Sequence, residues 1–474
     1  MKRFILTILC GVIAASSAMA QDAKLIIRGQ IADTLLVNVY AAPVVGQKAF
    51  MKYITDAPER TENIIEIPDS LCGKRLYFSY NKHFTFLELK AGQELQINVD
   101  GAKLSFSGDA NRVNEYLYEW SSQFIDSFDN MLAYRMRVRN FFTNKTVVFP
   151  TGVENESQLD NIKGLNNRAM KHFSSFNFNN SDFVARQTVW IKYLETRILL
   201  ENYRQMSRKE MTFNKSYQQA FQKIAFDDVD VLQHPDVTEM LSYFFQMQEE
   251  VLGVSRVLPH TLAAQAADLK HVDLKERYII DELEKMIRSK KVFLLDEIYA
   301  NVIPLVKTID GKAQLAKMKP TIEELVKTEM RGQDAFEFAF QDNHGKLVKM
   351  SDFRGKYVFI DMWATWCAPC NINIPYMNML EEDLKDENIA FVSISIDKPE
   401  QKQKWLDFLE KTHIGGTALL AKKAFQDEMC KYYDIHAIPR FMLINPEGKI
   451  VSAHCLQPMD AGFRKYMVEF MKNH

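Results

Sequence analysis

Cys367 and Cys370 are the residues with the most chemistry in this chain, set three apart in Trp366-Cys367-Ala368-Pro369-Cys370. Ahead of them, Tyr357-Val358-Phe359-Ile360-Asp361-Met362-Trp363 reads as a buried strand, and behind them Asn371–Lys385 has helical spacing. A cysteine pair placed there opens a helix. The unpaired N–H groups of a helix start favour negative charge. They would draw the Cys367 thiol from ~8.5 toward neutrality and make it the exposed, attacking thiolate. Cys370 lies one turn on, along the same helical edge, where it can close a ring with Cys367. Pro369 falls early in the helix, where a missing N–H costs little. The chemistry these residues suit is thiol–disulfide exchange, which needs no cofactor and no metal.

A zinc site would need a second ligand pair. Cys430 and Cys455 stand 25 apart, and neither His436 nor His454 forms a spaced motif with them. A purely structural disulfide would leave the tryptophans and the strand–turn–helix setting unexplained. Cys430 and Cys455 admit either a second disulfide or two separate buried thiols. Cys72 reads as a lone core cysteine.

Positioning such a pair takes an alternation of strands and helices. Phe336–Phe340, Leu347–Met350, Tyr357–Met362 and Ile389–Ile396 are strand-like, and Arg440–Ile444 and Lys449–Ala453 form a hairpin about Asn445-Pro446-Glu447-Gly448. Helical spacing follows in Gln401–Lys411, Phe425–Tyr433 and Ala461–Met471. The expectation is an α/β domain over 331–474. Residues 21–110 are punctuated strands, which predicts a β-rich sandwich or open barrel. Residues 111–330 carry helical periodicity, as in Val113, Tyr116, Leu117 and Trp120. The fold class is therefore multidomain: β-rich, then helical, then α/β.

Residues 1–20 read as an address. Lys2 and Arg3 precede an apolar run, Phe4 to Ala15, and Ala18-Met19-Ala20 is a small-x-small signal. Cleavage is expected after Ala20, delivering the chain to a periplasm. Cys10 goes with the discarded segment and leaves five cysteines, too few and too odd in number for a disulfide scaffold. Losing Lys2 and Arg3 takes the net charge from −2 to −4, so nothing points to nucleic acid or a membrane surface.

Trp363-Ala364-x-Trp366-Cys367-x-Pro369-Cys370 resembles the thioredoxin active-site motif. Together with Phe336-Glu337-Phe338, Asp342-Asn343-His344-Gly345-Lys346 and Ser351-Asp352-Phe353-Arg354-Gly355-Lys356, it is similar to the TlpA/ResA-like branch of exported thioredoxin-fold proteins. The resemblance covers about 330–474, under a third of the chain. Residues ahead of it only loosely resemble the extensions of such proteins in Bacteroidetes-like bacteria. It implies a redox-active Cys367–Cys370 disulfide, with Cys367 attacking and Cys370 resolving. Asp361, six residues before Cys367, takes the place of the family's buried acid. There a carboxylate would be desolvated and could accept the Cys370 proton. Ile438-Pro439 matches the family's cis-proline, so Ile438, Pro439 and Trp366 are expected to position substrate, and Pro375 to kink the helix. Partners would be exported proteins with disulfides and a membrane thiol donor. Asn373 departs from the pattern Cys-x-x-Cys-x-x-Glu-x-Pro, which leaves Asp361 as the one matched acid. Ala335-Phe336 replaces the usual Ala-Pro start.

Two other functions remain open on the sequence. The lead-in also resembles the wider redoxin pattern of peroxiredoxin-like peroxidases, although Trp363 to Trp366 stand where those favour Pro-x-x-x-Thr-x-x-Cys. An envelope binding protein with an auxiliary thioredoxin domain is the other.

Overall fold

The computed structural model describes residues 22–29, 37–41, 51–54, 62–80, 83–100, 103–125, 156–207, 215–234, 237–460 and 462–473. The expected leader, its cleavage point after Ala20, and Cys10 lie outside the described residues. Among the described residues no helix is long and apolar enough to cross a membrane. The chain forms two compact units, Met1–Glu195 and Thr196–His474.

The described strands of the first unit are β1 Ala23–Gly29, β2 Val37–Ala41, β3 Met51–Ile54, β4 Glu62–Ile67, β5 Leu76–Tyr80, β6 His83–Leu87, β7 Glu94–Asp100 and β8 Lys103–Gly108. They pair as β4-β1-β7-β8 and β3-β2-β5-β6. Strand alternation turns Leu25, Ile27, Leu95, Ile97, Leu104 and Phe106 of the first sheet toward Leu76, Phe78 and Leu87 of the second, in one shared core. The β-rich expectation is met as a sandwich. β3 and β8 escaped the sequence reading: β3 has only four residues, and β8 follows Gly101 closely enough to look like the approach to a helix. Helix Asn111–Trp120 then buries Tyr116, Leu117 and Trp120.

In the second unit, helices Val237–Glu250, Thr261–Ala267, Val272–Arg288, Leu295–Val302 and Ile309–Lys327 precede a mixed sheet. Its strands are β9 Ala339–Asp342, β10 Leu347–Lys349, β11 Tyr357–Trp363, β12 Ile389–Ser395, β13 Thr417–Leu420, β14 Arg440–Ile444 and β15 Ile450–Cys455, in the order β10-β9-β13-β12-β11-β14-β15. β11, β12 and β13 run parallel, and β14 runs antiparallel to β11. With helices Ala368–Asp383, Lys402–Thr412 and Phe463–Lys472, this is a thioredoxin fold.

β11 is an interior strand, between β12 and β14, and every residue from Val358 to Trp363 is buried, as a strand covered on both faces requires. Val358, Ile360 and Met362 enter the core that also holds both cysteines of the pair. Phe359 turns the other way, toward Phe391, Phe441 and Phe463. Asp361, two residues on, shares the Phe359 side of the strand.

Two expected elements are corrected, and one strand was not foreseen. Phe336–Phe340 is a strand only from Ala339, where β9 begins: the Phe338 N–H bonds back to Phe336 O at 2.9 Å, a tight turn that keeps 336–338 out of the ladder, and ahead of it Gly332 to Ala335 bond along the sheet edge, Gly332 N–H to Ile450 O at 2.8 Å and Ala335 N–H to Gly448 O at 2.9 Å. This covers the outer edge of β15. Phe425–Tyr433 is not one helix: it breaks into Ala424–Gln426 and Glu428–Tyr432, because Asp427 turns its carboxylate onto the Met429 N–H at 3.1 Å as a cap. β13 was not anticipated, being four residues long.

Candidate active site

β11 ends at Trp363, and helix Ala368–Asp383 begins five residues later, with Cys367 as its N-cap. The turn between them is closed by Cys367 N–H to Ala364 O at 3.0 Å. Cys367 and Cys370 are joined as a disulfide with Cα atoms 5.3 Å apart, and the Cys370 N–H points at the Cys367 sulfur at 3.2 Å. The helix-start field therefore falls on Cys367 and can stabilise a thiolate there when the bond opens. One expectation is corrected: in the disulfide form Cys367 is not exposed. It is only 4% accessible, while Trp366 beside it is 52% exposed. The sulfur lies against the helix start, accepting from the Cys370 N–H, while the indole lies outside.

Asp361 is buried, and burial pushes its carboxyl up to about 7. Its Oδ1 has no hydrogen-bond partner among the described residues. A carboxylic acid with that midpoint and a free acceptor can take a proton near neutral pH and give it back.

The Ile438–Pro439 peptide bond is cis. Arg440, which follows it, pairs with Met362 of β11. Ile438 and Pro439 thus lie at the sheet end from which the chain leaves for Cys367, and Ile438 packs on the core containing both cysteines. Trp366 has its ring 6.3 Å from that of Phe425. The structure thus gathers Cys367, Cys370, Asp361, Trp366, Ile438 and Pro439 at one end of one sheet.

Sequence reasoning missed Asp397. It lies just past β12, fully buried, and accepts three hydrogen bonds from neighbours: Thr365 N–H at 2.8 Å and Ser395 hydroxyl at 2.7 Å on Oδ2, and Thr365 hydroxyl at 2.8 Å on Oδ1. It pins the turn two residues before Cys367. Its sequence context, Ser393-Ile394-Ser395-Ile396-Asp397, carries a weak signal: a polar alternation inside an otherwise apolar strand.

Asn373 is 1% exposed and holds Gln457 and the Pro369 carbonyl. Cys430 and Cys455 are separate, buried, unbonded thiols. Burial pushes Cys430 up to about 11, with the charge of Asp427 adding to it, and burial raises Cys455 further, helped by Glu329. Cys72 is unbonded and only half-buried. Among the described residues no three His, Cys, Asp or Glu side chains gather to hold a metal.

Residues 331–453 match the AhpC/TSA family. Over 120 residues the chain is 32% identical to thiol-disulfide oxidoreductase ResA of Bacillus subtilis, covering 25% of this chain and 64% of that protein. Against ResA of Bacillus thuringiensis subsp. konkukian it is 30% identical over 120 residues, covering 25% of this chain and 66% of that protein. The chain thus spans just under two thirds of the length of these curated relatives. Among solved structures, it is similar to a putative thiol-disulfide oxidoreductase from Bacteroides vulgatus, at 35% identity over 30% of this chain and 88% of that one, with a TM-score of 0.26. A putative thiol:disulfide interchange protein DsbE from Chlorobium tepidum matches at 26% identity over 30% of this chain and 93% of that one, with a TM-score of 0.25.

Proposed function

We propose that this chain is an exported, periplasmic thiol–disulfide oxidoreductase that reduces or isomerises disulfides of other exported proteins. The observation that carries this reading is the Cys367–Cys370 disulfide across the first turn of a helix that directly follows a buried strand.

In the reducing direction the Cys367 thiolate attacks one sulfur of a substrate disulfide. That S–S bond breaks, a mixed disulfide forms on Cys367, and the released substrate thiolate takes a proton from water. Asp361 removes the Cys370 proton, and the Cys370 thiolate attacks the Cys367 sulfur. The mixed disulfide breaks, the second substrate thiolate leaves, and Cys367–Cys370 is again a disulfide. Two electrons have passed to the substrate, and a membrane-bound dithiol donor restores the pair. Ile438 and Pro439, together with the exposed Trp366, line the place where an extended substrate segment meets Cys367.

The direction follows from the residues between the cysteines. Ala368 and Pro369 are uncharged and offer no cationic stabilisation of a reduced thiolate. The potential should sit nearer thioredoxin's (about −270 mV) than that of a strong oxidant (about −120 mV). Equilibration of the full chain with glutathione tests this. A value on the reducing side of about −200 mV supports the reading, and one near −120 mV reverses the electron flow. The AhpC/TSA match supports a second reading, peroxide reduction. Consumption of hydrogen peroxide with a simple thiol donor, at a rate above that of disulfide exchange, would favour it.

A further inference from the structure

Asn373 sits one turn beyond Cys370, and its side chain reaches back between the two cysteines. Its Nδ2 donates to the Pro369 carbonyl at 3.1 Å and to Gln457 Oε1 at 2.8 Å, and its Oδ1 accepts from the Met459 N–H at 3.4 Å. The backbone partners fix which way the amide faces, because a proline carbonyl only accepts and an N–H only donates. The contacts continue outward. The Gln457 N–H donates to Asp460 Oδ2 at 2.9 Å, and Asp460 Oδ1 is paired with Lys291 Nζ at 3.1 Å. Lys291 belongs to the link between helices Val272–Arg288 and Leu295–Val302, outside the matched segment 331–453. Two residues on, Phe293 packs edge-on against Phe463 and Tyr466 of the last helix at 5.7 and 5.4 Å. A continuous line of polar contacts therefore runs from the helical region to the peptide between the redox cysteines.

We infer that Asn373 and Gln457 are positioning residues for the step in which Cys370 resolves the mixed disulfide, and that the helical region supports that step through Lys291 and Asp460. The inference rests on the exchange reading above. Once the disulfide opens, the Cys367–Cys370 turn loses its covalent closure. Cys370 N–H to Cys367 O at 3.1 Å then remains at its start, and the Asn373 amide holds the Pro369 carbonyl from behind. A resolving thiol must populate a near-attack orientation, and losing this second donor to a carbonyl that the helix also holds through its own backbone loosens the first turn and dilutes that orientation. Cys367 is anchored from the other side, through Thr365 and Asp397, so its own first attack does not depend on this contact.

The test uses the reduced full-length chain and a chromogenic aromatic disulfide under stopped flow. The first release of chromophore reports attack by Cys367, which is second order. The second reports resolution by Cys370, which is first order. Gln457→Met keeps the volume and removes the acceptor; it should slow the second phase about fivefold, the effect of losing one ordinary hydrogen bond, and leave the first phase at the wild-type rate. Gln457→Glu restores an acceptor oxygen and should bring the second phase back. Lys291→Ala, a change at a half-exposed surface position, should slow the same phase by about twofold, as suits an exposed ion pair. An unchanged second phase in Gln457→Met, equal slowing of both phases, or no rescue by Gln457→Glu overturns the positioning role. Should Gln457→Met fail to fold, Lys291→Ala decides: a selective slowing supports the inference, and wild-type kinetics overturn it. A wild-type chain that never gives the second release overturns the exchange reading itself.

Discussion

Asp361 and Asp397 are buried carboxylates at the same end of two neighbouring parallel strands, and their surroundings are opposite. Asp361 lies on β11 with an unpartnered Oδ1 and a carboxyl pushed by burial up to about 7. Asp397 lies just past β12, and both of its oxygens accept hydrogen bonds from Thr365 and Ser395. Burial without donors makes an acid that exchanges its proton near neutrality. Burial with donors makes a fixed strut. One residue type, placed on two neighbouring strands, is left with a proton that can exchange in one case and holds the turn before Cys367 in the other.

The largest effect should come from removing the mobile proton. Asp361→Asn is expected to slow resolution by Cys370 about a hundredfold at neutral pH, within the usual range for a lost general base. In the wild type that rate should climb as pH rises through about 7, where Asp361 gives up its proton. The variant should show no such step, and pH-dependent stopped flow reads both. A retained step would assign the titration to another group. Stability should move the other way. The folded-state value lies above the ordinary ~3.9, so the wild type loses stability as pH rises from about 4 to about 7 and keeps that loss above it. Asp361→Asn should match the wild type below about pH 4 and exceed it above about pH 7, by of the order of 2–4 kcal/mol, in denaturant titrations.

Asp397→Asn should behave differently on every count. An amide presents one acceptor oxygen where the carboxylate presents two, so Thr365 or Ser395 loses a partner. A loss of about 1–3 kcal/mol is expected at neutral pH, with the midpoint of the resolution profile unmoved. A shifted midpoint would mean that Asp397 also shares the proton. The smallest change should follow Thr365→Val, which removes the bond to Oδ1 and keeps the N–H bond to Oδ2; about 1 kcal/mol is expected by the same denaturant titration.

The two carboxylates also differ in how readable they were. Asp361 stands among Phe359, Ile360, Met362 and Trp363 ahead of Cys-x-x-Cys, so its burial could be inferred from its neighbours, whereas its role was suggested only by the family resemblance. Asp397 follows a strand by two residues, and nothing local says that its partner is Thr365, 32 positions earlier. That contact exists only because β11 and β12 pair in parallel with Trp363 opposite Ser395. Strand register, which no single sequence displays, decides it. The thioredoxin fold itself was legible because its strands alternate with helices of ordinary length. β13 and the edge pairing of Gly332 to Ala335 were not, since four-residue segments lack a period to read. Cys367's low exposure in the disulfide form was also hidden, because it depends on how the helix start packs into the core rather than on residue type.

The central claim is that exchange passes through Cys367 and is completed by Cys370. Its most direct test is a trap: reduced full-length Cys370→Ser, mixed with an unfolded polypeptide carrying a disulfide, then quenched and mapped by mass spectrometry. The account predicts a stable mixed disulfide at Cys367, with Cys72, Cys430 and Cys455 unmodified. No adduct, or an adduct at Cys430 or Cys455 in place of Cys367, would contradict it.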